Sequence, residues 1–301
     1  MNSLYYVLLL LTSMLWAGNF IAGKWVVDDA SPITLIVLRW VIAAGILLPF
    51  VWIREKRILP PKSAWLPLAG MGATGVVLFN YFMFLALEHT TAVNVGLLSA
   101  MNPIAIAFVS AIVLRERLSI KQTAGMVVSL IGVIVVLSGG NWASIASIRF
   151  NIGDLYMLAA VLTWGVYSVV SKRAMENMSS YASTLWAGIL GGVMMIPLLP
   201  SHWEMTGSSA SFWFSAGYLA VGGTVLAMVF WNAGVKKIGG THSGMFLNFN
   251  PIFTAILAFP ILGERMGFAQ WAGTALVICG VYVFSSKRAL LFSVKHKSTP
   301  S

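Results

Sequence analysis

The sequence predicts an all-α integral membrane protein, with ten transmembrane helices arranged as two inverted five-helix repeats. Three observations carry that prediction. The 301 residues are 58% hydrophobic and only 9% charged, where a soluble domain carries about 25% charged residues. Ten stretches are apolar and long enough to cross a bilayer core of about 30 Å. The chain also resembles itself after a shift of 148 residues. So few ionisable groups cannot cover a soluble fold of this size. That excludes a nucleic-acid-binding domain, a disordered chain and most soluble enzymes. Cys279 is the single cysteine and cannot form an internal disulfide, which removes a secreted disulfide scaffold.

In order, the apolar stretches cover residues 4–27, 33–53, 65–87, 92–114 and 122–137, then 155–170, 181–199, 212–235, 243–262 and 268–284. The first lacks a basic leader and a small-residue cleavage site, and its apolar run is too long for a signal peptide, so it is read as a retained helix. The second carries Arg39 about seven residues inside. The third follows the breaker Leu59-Pro60-Pro61, and the fourth contains Asn102-Pro103. The fifth and sixth are short and flank Gly139-Gly140. The ninth contains Asn250-Pro251 and the tenth Gly273 and Gly280. Continuous apolar runs of this kind satisfy their backbone in lipid as helices.

Charge gives the orientation. Fifteen Lys and Arg residues, among them Arg54, Lys62, Arg115, Lys172, Lys236 and Lys287, fall at one set of span ends. Three, Lys24, Arg149 and Arg265, fall at the other, and Arg39 lies inside a span. The positive-inside rule then predicts that both termini are cytoplasmic.

The 148-residue shift aligns Trp16 with Trp164, Lys24 with Lys172, Gly96 with Gly244 and Asn102-Pro103 with Asn250-Pro251. It also aligns Glu116 with Glu264, Gly125 with Gly273 and Gly132 with Gly280. The predicted units are residues 1–140 and 150–288, forming one membrane domain, with a basic cytoplasmic tail at 289–301. Five spans per unit is an odd number, so the same pattern crosses the membrane in opposite senses. That is the inverted-repeat design of secondary transporters, whose site lies near the midplane between the halves.

Trp16-Ala17-Gly18-Asn19-Phe20, Arg39, Asn102-Pro103, Leu114-Arg115-Glu116-Arg117 with Gly125, and Gly153-Asp154-Leu155 leading to Trp164 form a pattern. Asn250-Pro251 and Leu262-Gly263-Glu264-Arg265, with Gly273 and Gly280, complete it. Together they resemble the EamA branch of the drug/metabolite transporter superfamily over nearly the whole chain. The resemblance implies a ten-helix carrier that exports amino acids or other small metabolites across a bacterial-type inner (plasma) membrane.

The residues themselves nominate a site. Trp16 and Asn19, at i and i+3, share one helix face, and their repeat mates are Trp164 and Tyr167. Asn80 and Phe84 make a similar pair in the third span, with mates Met228 and Asn232, and Tyr81 stands on an adjacent face. Each of these reads either as cavity lining or as interhelical packing. Arg39 sits roughly 10 Å below the outer surface. It fits a helix-locking pair with Asp28, Asp29 or Glu88, snorkelling to the interface, or a receptor for a substrate carboxylate. Asn102 and Asn250 read either as hinge or packing positions or as lining for the path. Pro103 and Pro251, read as mid-span prolines, are hinge candidates that free the carbonyls of Ser99 and Leu247. His242, opposite Asn94 in the repeat, is a candidate for proton coupling or an ordinary interfacial histidine. Glu116 and Glu264 are expected to cap the starts of the fifth and tenth spans or to lock a gate. Gly125, Ser129 and Gly132, with Gly273 and Gly280, favour close packing of the fifth and tenth spans within the chain; a homodimer surface is the alternative.

Several apparent signals fail. Gly18 to Lys24 approaches a phosphate-binding loop but lacks the following Ser/Thr and the preceding strand. The four histidines show no metal-ligand spacing, and no nucleophile–base set shares a membrane depth. Neither catalysis, nor a metal, nor a cofactor is expected. The expected partners are a small-molecule substrate and the lipid bilayer, with no nucleic acid. The reading is therefore a secondary carrier for small neutral or zwitterionic metabolites, with drug or cation efflux as the alternative and a channel a weaker one.

Overall fold

The computed structural model describes residues 3–56, 59–113, 119–137 and 151–285. Its helices are α1 (Ser3–Val26), α2 (Pro32–Glu55), α3 (Lys62–His89), α4 (Ala92–Ser99), α5 (Asn102–Val113) and α6 (Ile120–Leu137). The second half supplies α7 (Ile152–Ala174), α8 (Ser180–His202), α9 (Ala210–Ile238), α10 (Gly240–Gly244), α11 (Asn250–Leu262) and α12 (Phe268–Ser285). Six of these, α1, α2, α3, α7, α8 and α9, are each long and apolar enough to span a bilayer, and the bent pair α4–α5 makes a seventh. The remaining expected spans correspond to shorter apolar helices, Thr123–Gly132, Phe246–Leu262 and Phe268–Gly280.

Local chemistry starts the helices where they start. Ser31 caps α2 by accepting from the Thr34 amide, with Pro32 at the first helical position. Thr91, Asn151, Ser179 and Ser209 cap α4, α7, α8 and α9 in the same way. Each side-chain oxygen takes one of the amide hydrogens that the first turn leaves unpaired. Pro103 and Pro251 differ from the mid-span reading. Each is the second residue of a fresh helix, α5 and α11. The chain breaks just before, so α4 and α5 meet at 41°, and a 3-10 turn at Met245–Phe249 precedes α11. A proline at that place sacrifices no helical hydrogen bond, because the first amides of a helix have no intrahelical acceptor.

The duplication extends to the backbone. The starts of α2 and α8, α3 and α9, α4 and α10, α5 and α11, and α6 and α12 are each 148 residues apart. Helices α3 and α9 both carry a π-helical segment, Gly72–Leu78 in one and Val221–Leu226 in the other. Each π turn widens the helix and releases carbonyls from the regular ladder.

Helices of one half pack on those of the other: α1 on α9 and α11, α7 on α3 and α5, α2 on α8, and α6 on α12. The last pair is antiparallel. Gly132 faces Gly273 and Val277, whereas Gly280 faces Gly125 and Ser129, so rising numbers on one helix meet falling numbers on the other. A Cβ on Gly132 would stand 2.8 Å from the Gly273 carbonyl oxygen and the Val277 nitrogen. The expected small-residue stripe thus joins α6 to α12 within one chain, and Ser129 Oγ donates to the Val277 carbonyl (3.1 Å).

Connections gather at two ends. At one, the Ser31 amide donates to Glu204 O (3.0 Å) and the Thr206 amide to Asp29 O (2.8 Å), while Asn151 Nδ2 donates to His89 O (2.6 Å). At the other, Lys236 Nζ donates to Met178 O (2.6 Å). The flanks between carry outward apolar side chains such as Val41 and Ile256, 65% and 61% exposed. Such a surface belongs in lipid rather than water.

Candidate functional site

A cavity lies where the two halves meet. It is lined by Trp16, Asn19 and Phe20 of α1, Arg39 and Trp40 of α2, Gly75, Phe79 and Asn80 of α3, and Asn102 of α5. The second half adds Trp164 of α7, Met228 of α9 and Asn250 of α11. Its water-accessible interior is about 20 Å³, room for about one water molecule. In this conformation the helices are closed around it.

Aromatic rings form one wall. Trp16 and Trp164 meet edge to face with centroids 5.0 Å apart, and both pack on Trp231 at 5.6 Å. Phe79 leans on Trp164 at 4.9 Å. Tyr167 stacks behind Trp164 at 4.6 Å. Trp16 Nε1 donates to the Gly223 carbonyl (3.0 Å), whereas Trp164 Nε1 is buried with no protein partner.

Polar groups adjoin the aromatic wall, since Arg39 and Trp16 share the Gly223 carbonyl. Arg39 is only 4% exposed. Its Nε donates to Thr224 Oγ1, its Nη1 to Asn80 Oδ1 (2.7 Å) and its Nη2 to the Gly223 carbonyl (3.0 Å). All three acceptors are neutral, and no aspartate or glutamate lines the cavity among the described residues. The amide oxygens of Asn19, Asn102 and Asn250 are buried without partners. Asn250 Nδ2 donates to Ser99 Oγ (3.4 Å), and Asn19 Nδ2 points at Met83 Sδ (3.6 Å). A buried polar atom left unpaired costs about 1–3 kcal/mol, so a cluster of them around one space marks a place built for a polar guest.

The EamA-like transporter family model matches residues 3–138 and again 151–286. The chain belongs to the EamA-like transporter family. It is 29% identical over 294 residues to an uncharacterized transporter of Archaeoglobus fulgidus, covering 96% of this chain and 99% of that one. It is 27% identical to the uncharacterized transporter YyaM of Bacillus subtilis, covering 93% of each. It is 28% identical to a probable terminal-alkyne amino-acid exporter of Streptantibioticus cattleyicolor, covering 97% of this chain and 96% of that one. A solved crystal structure aligns with a TM-score of 0.68 at 21% identity, covering 95% of this chain and 97% of the other; at that identity the likeness shows the fold alone.

This EamA-like transporter is a multi-pass membrane protein, and it brings Trp16, Asn19, Arg39, Asn80, Asn102, Trp164 and Asn250 together around the cavity. Other nominated residues stand elsewhere. Tyr167 and Asn232 are fully buried behind the aromatic wall, where Asn232 Nδ2 donates to Thr184 Oγ1 (2.9 Å) and the Tyr167 hydroxyl donates to Asn232 Oδ1 (3.1 Å). Phe84 is core packing beside Gly23. Tyr81 rests against Phe82 outside the lining. Asn94 sits at the start of α4, where its Nδ2 donates to Thr90 Oγ1 (3.1 Å), away from the cavity because α4 begins at the membrane end. His242 belongs to α10, and its side chain lies outside the described residues, as does all of Glu116.

Two expectations are corrected. Arg39 pairs with none of Asp28, Asp29 and Glu88; its side chain points inward to α3 and α9. Glu264 caps α4 rather than the start of the tenth span. Its carboxylate accepts from the Ala92 amide (3.1 Å) and the Val93 amide (2.9 Å), because α11 ends beside the start of α4. Sequence reasoning missed Trp40, Phe79 and Thr224. Trp40 follows Arg39 directly, but neither Phe79 nor Thr224 stands out from its neighbours in sequence.

Proposed function

We propose that this transporter is a secondary carrier, with ten spans in two inverted five-helix repeats. It exports small neutral or zwitterionic metabolites, amino acids first, by alternating access. The observation that carries the reading is the meeting of repeat mates Trp16 and Trp164 on the wall of a buried polar cavity between the halves. A site on the pseudo-symmetry axis is equally reachable from both faces once the halves rock. The antiparallel contact of α6 with its mate α12 supports the inversion. The cavity, with room for about one water, supports a closed intermediate that must open to admit substrate. The printed name of the Streptantibioticus relative, a probable exporter of an amino acid, supports the substrate class. Both termini and the basic tail lie on the cytoplasmic side of a bacterial-type plasma membrane, by the 15-to-3 distribution of Lys and Arg.

A buried arginine with no acid beside it among the described residues disfavours cation efflux, since a cationic guest would add like charge in a medium of low dielectric. An interior this narrow and partly aromatic disfavours a channel, which needs a continuous polar pore.

Counterflow in proteoliposomes tests the proposal. Vesicles are preloaded with unlabelled amino acids, and uptake of each labelled one is followed. Saturable uptake stimulated from the opposite side is the expected result. Non-saturating flux at verified insertion contradicts the carrier reading.

A further inference from the structure

We propose that Arg39 is both the receptor for the substrate's carboxylate and the tie that holds this carrier closed, so that carboxylate capture during a transient opening is also the trigger that shifts the population from closed to open. The inference rests on the carrier reading above. Its first support is chemical. A guanidinium offers five N–H donors in a planar fork, and three hydrogen bonds to neutral acceptors engage Arg39 here. Its positive charge is out of water and unmatched by any carboxylate lining the cavity among the described residues. A guest carboxylate supplies the missing charge and two acceptors in the geometry that the fork prefers.

The second support is mechanical. All three acceptors belong to, or brace, a π-helical segment. Asn80, which accepts from Nη1, donates through Nδ2 to the Gly75 and Val76 carbonyls (2.9 Å each), both inside the π segment Gly72–Leu78 of α3. Gly223 and Thr224 lie inside the π segment Val221–Leu226 of α9, and Thr224 Oγ1 donates to the Leu219 carbonyl (2.9 Å). Helix α3 belongs to the first half and α9 to the second, and the two segments occupy matching places in the repeat. Arg39 therefore pins both halves at their irregular turns. Ionised acceptors make hydrogen bonds roughly twice as strong as neutral ones. A carboxylate arriving at the fork draws it away from Asn80, Thr224 and Gly223, and both π segments lose their tie together. The unpartnered amide oxygens of Asn19, Asn102 and Asn250 accept hydrogen bonds from the guest's ammonium group, which fixes its orientation.

The test uses the full chain and two measurements. Counterflow compares each L-amino acid with its own amide, which keeps the side chain and removes the negative charge. The wild type is expected to favour acids by about tenfold or more in kcat/KM, as loss of a charge-assisted bond implies. Arg39→Gln is expected to erase the preference, and Arg39→Lys to keep most of it. Hydrogen exchange then reads the tie. The acid, but not the amide, is expected to speed deuterium uptake over residues 72–78 and 221–226. Arg39→Lys, which keeps charge but lacks the fork, is expected to exchange fast at both segments without any ligand. Saturable counterflow with equal rates for acids and amides overturns the proposal while leaving the carrier intact. So does an Arg39→Gln protein that still prefers acids. Unchanged or one-sided exchange overturns the trigger. Should Arg39→Gln fail to fold, Arg39→Lys and the wild-type acid–amide comparison still decide. Absence of saturable counterflow for every pair defeats the carrier reading, and the proposal falls with it.

Discussion

Trp16 and Trp164 are 148 residues apart in the chain, hold the same place in their respective halves, and touch edge to face at 5.0 Å. Repeat mates in contact lie on the axis that relates the two halves. The same holds for Ser129, whose hydroxyl bonds to the carbonyl of its own mate, Val277. The two indoles are nevertheless unequal, because only Trp16 has a protein acceptor for its N–H.

That inequality gives a contrast. Trp16→Phe breaks the bond to the Gly223 carbonyl and is expected to lower stability by about 1 kcal/mol. Trp164→Phe removes an N–H that no protein group accepts, so stability should hold while KM rises if the substrate uses that donor. Thermal unfolding in detergent and counterflow KM, measured on both variants, separate the outcomes.

Asn102→Ala removes an amide oxygen that is buried without a partner, and Asn250→Ala removes another together with the long 3.4 Å bond from its Nδ2 to Ser99 Oγ. Deleting an unsatisfied polar group costs folding little, whereas losing one hydrogen bond to substrate weakens binding by about three- to tenfold. The expected result is a raised KM with a near-native melting temperature. A collapse in stability with unchanged KM would mean the two residues serve packing instead.

Glu264→Ala leaves the Ala92 and Val93 amides unpaired at the start of α4. Loss of this cap is expected to cost about 1 kcal/mol and to leave KM unchanged, since Glu264 stands outside the central cavity. Glu264→Gln, which retains an acceptor oxygen, should recover part of the loss. Paired melting curves in one detergent provide the check.

Gly132→Leu drives a side chain into the backbone of α12, where Gly273 O and Val277 N stand 2.8 Å from the new Cβ. Backbone cannot swing aside as a side chain can, so a loss of about 3 kcal/mol or more is expected. Gly45→Leu is the control, because nothing lies within 4 Å of a Cβ there. Yield of folded protein and melting temperature distinguish them.

The proposed orientation is tested by labelling. With Cys279, the single cysteine, replaced by serine, Glu176→Cys is expected to react with a membrane-impermeant maleimide only from the cytoplasmic side. Met205→Cys should react only from the outside. Labelling of both from the same face overturns the charge-based topology.

Much of the architecture was legible in the sequence. Hydropathy and the even spacing of breakers mark the helices because every residue facing lipid must be apolar whatever its neighbours in space. The 148-residue offset likewise needs only one dimension to be seen, and it singled out Trp16, Trp164, Asn102 and Asn250, all of which line the cavity. The offset shows which residues correspond, not which of them face the cavity. Phe84 follows its mate Asn232 into the core rather than the cavity, and Asn94 serves the start of α4. The prolines look like interior kinks in one dimension because sequence shows that a proline is present but not where the helix containing it begins.

The sequence by itself determined that the chain lives in a bilayer, where its apolar stretches fall and that it is built twice, since these follow from local hydropathy and self-similarity. Only the tertiary structure decided what Arg39 holds and what Glu264 caps. Thr224 is 185 residues from Arg39 and Ala92 is 172 from Glu264. Such partners are chosen by which helices cross and at what depth. That choice is set by the packing of one half against the other, a property no single stretch of sequence contains.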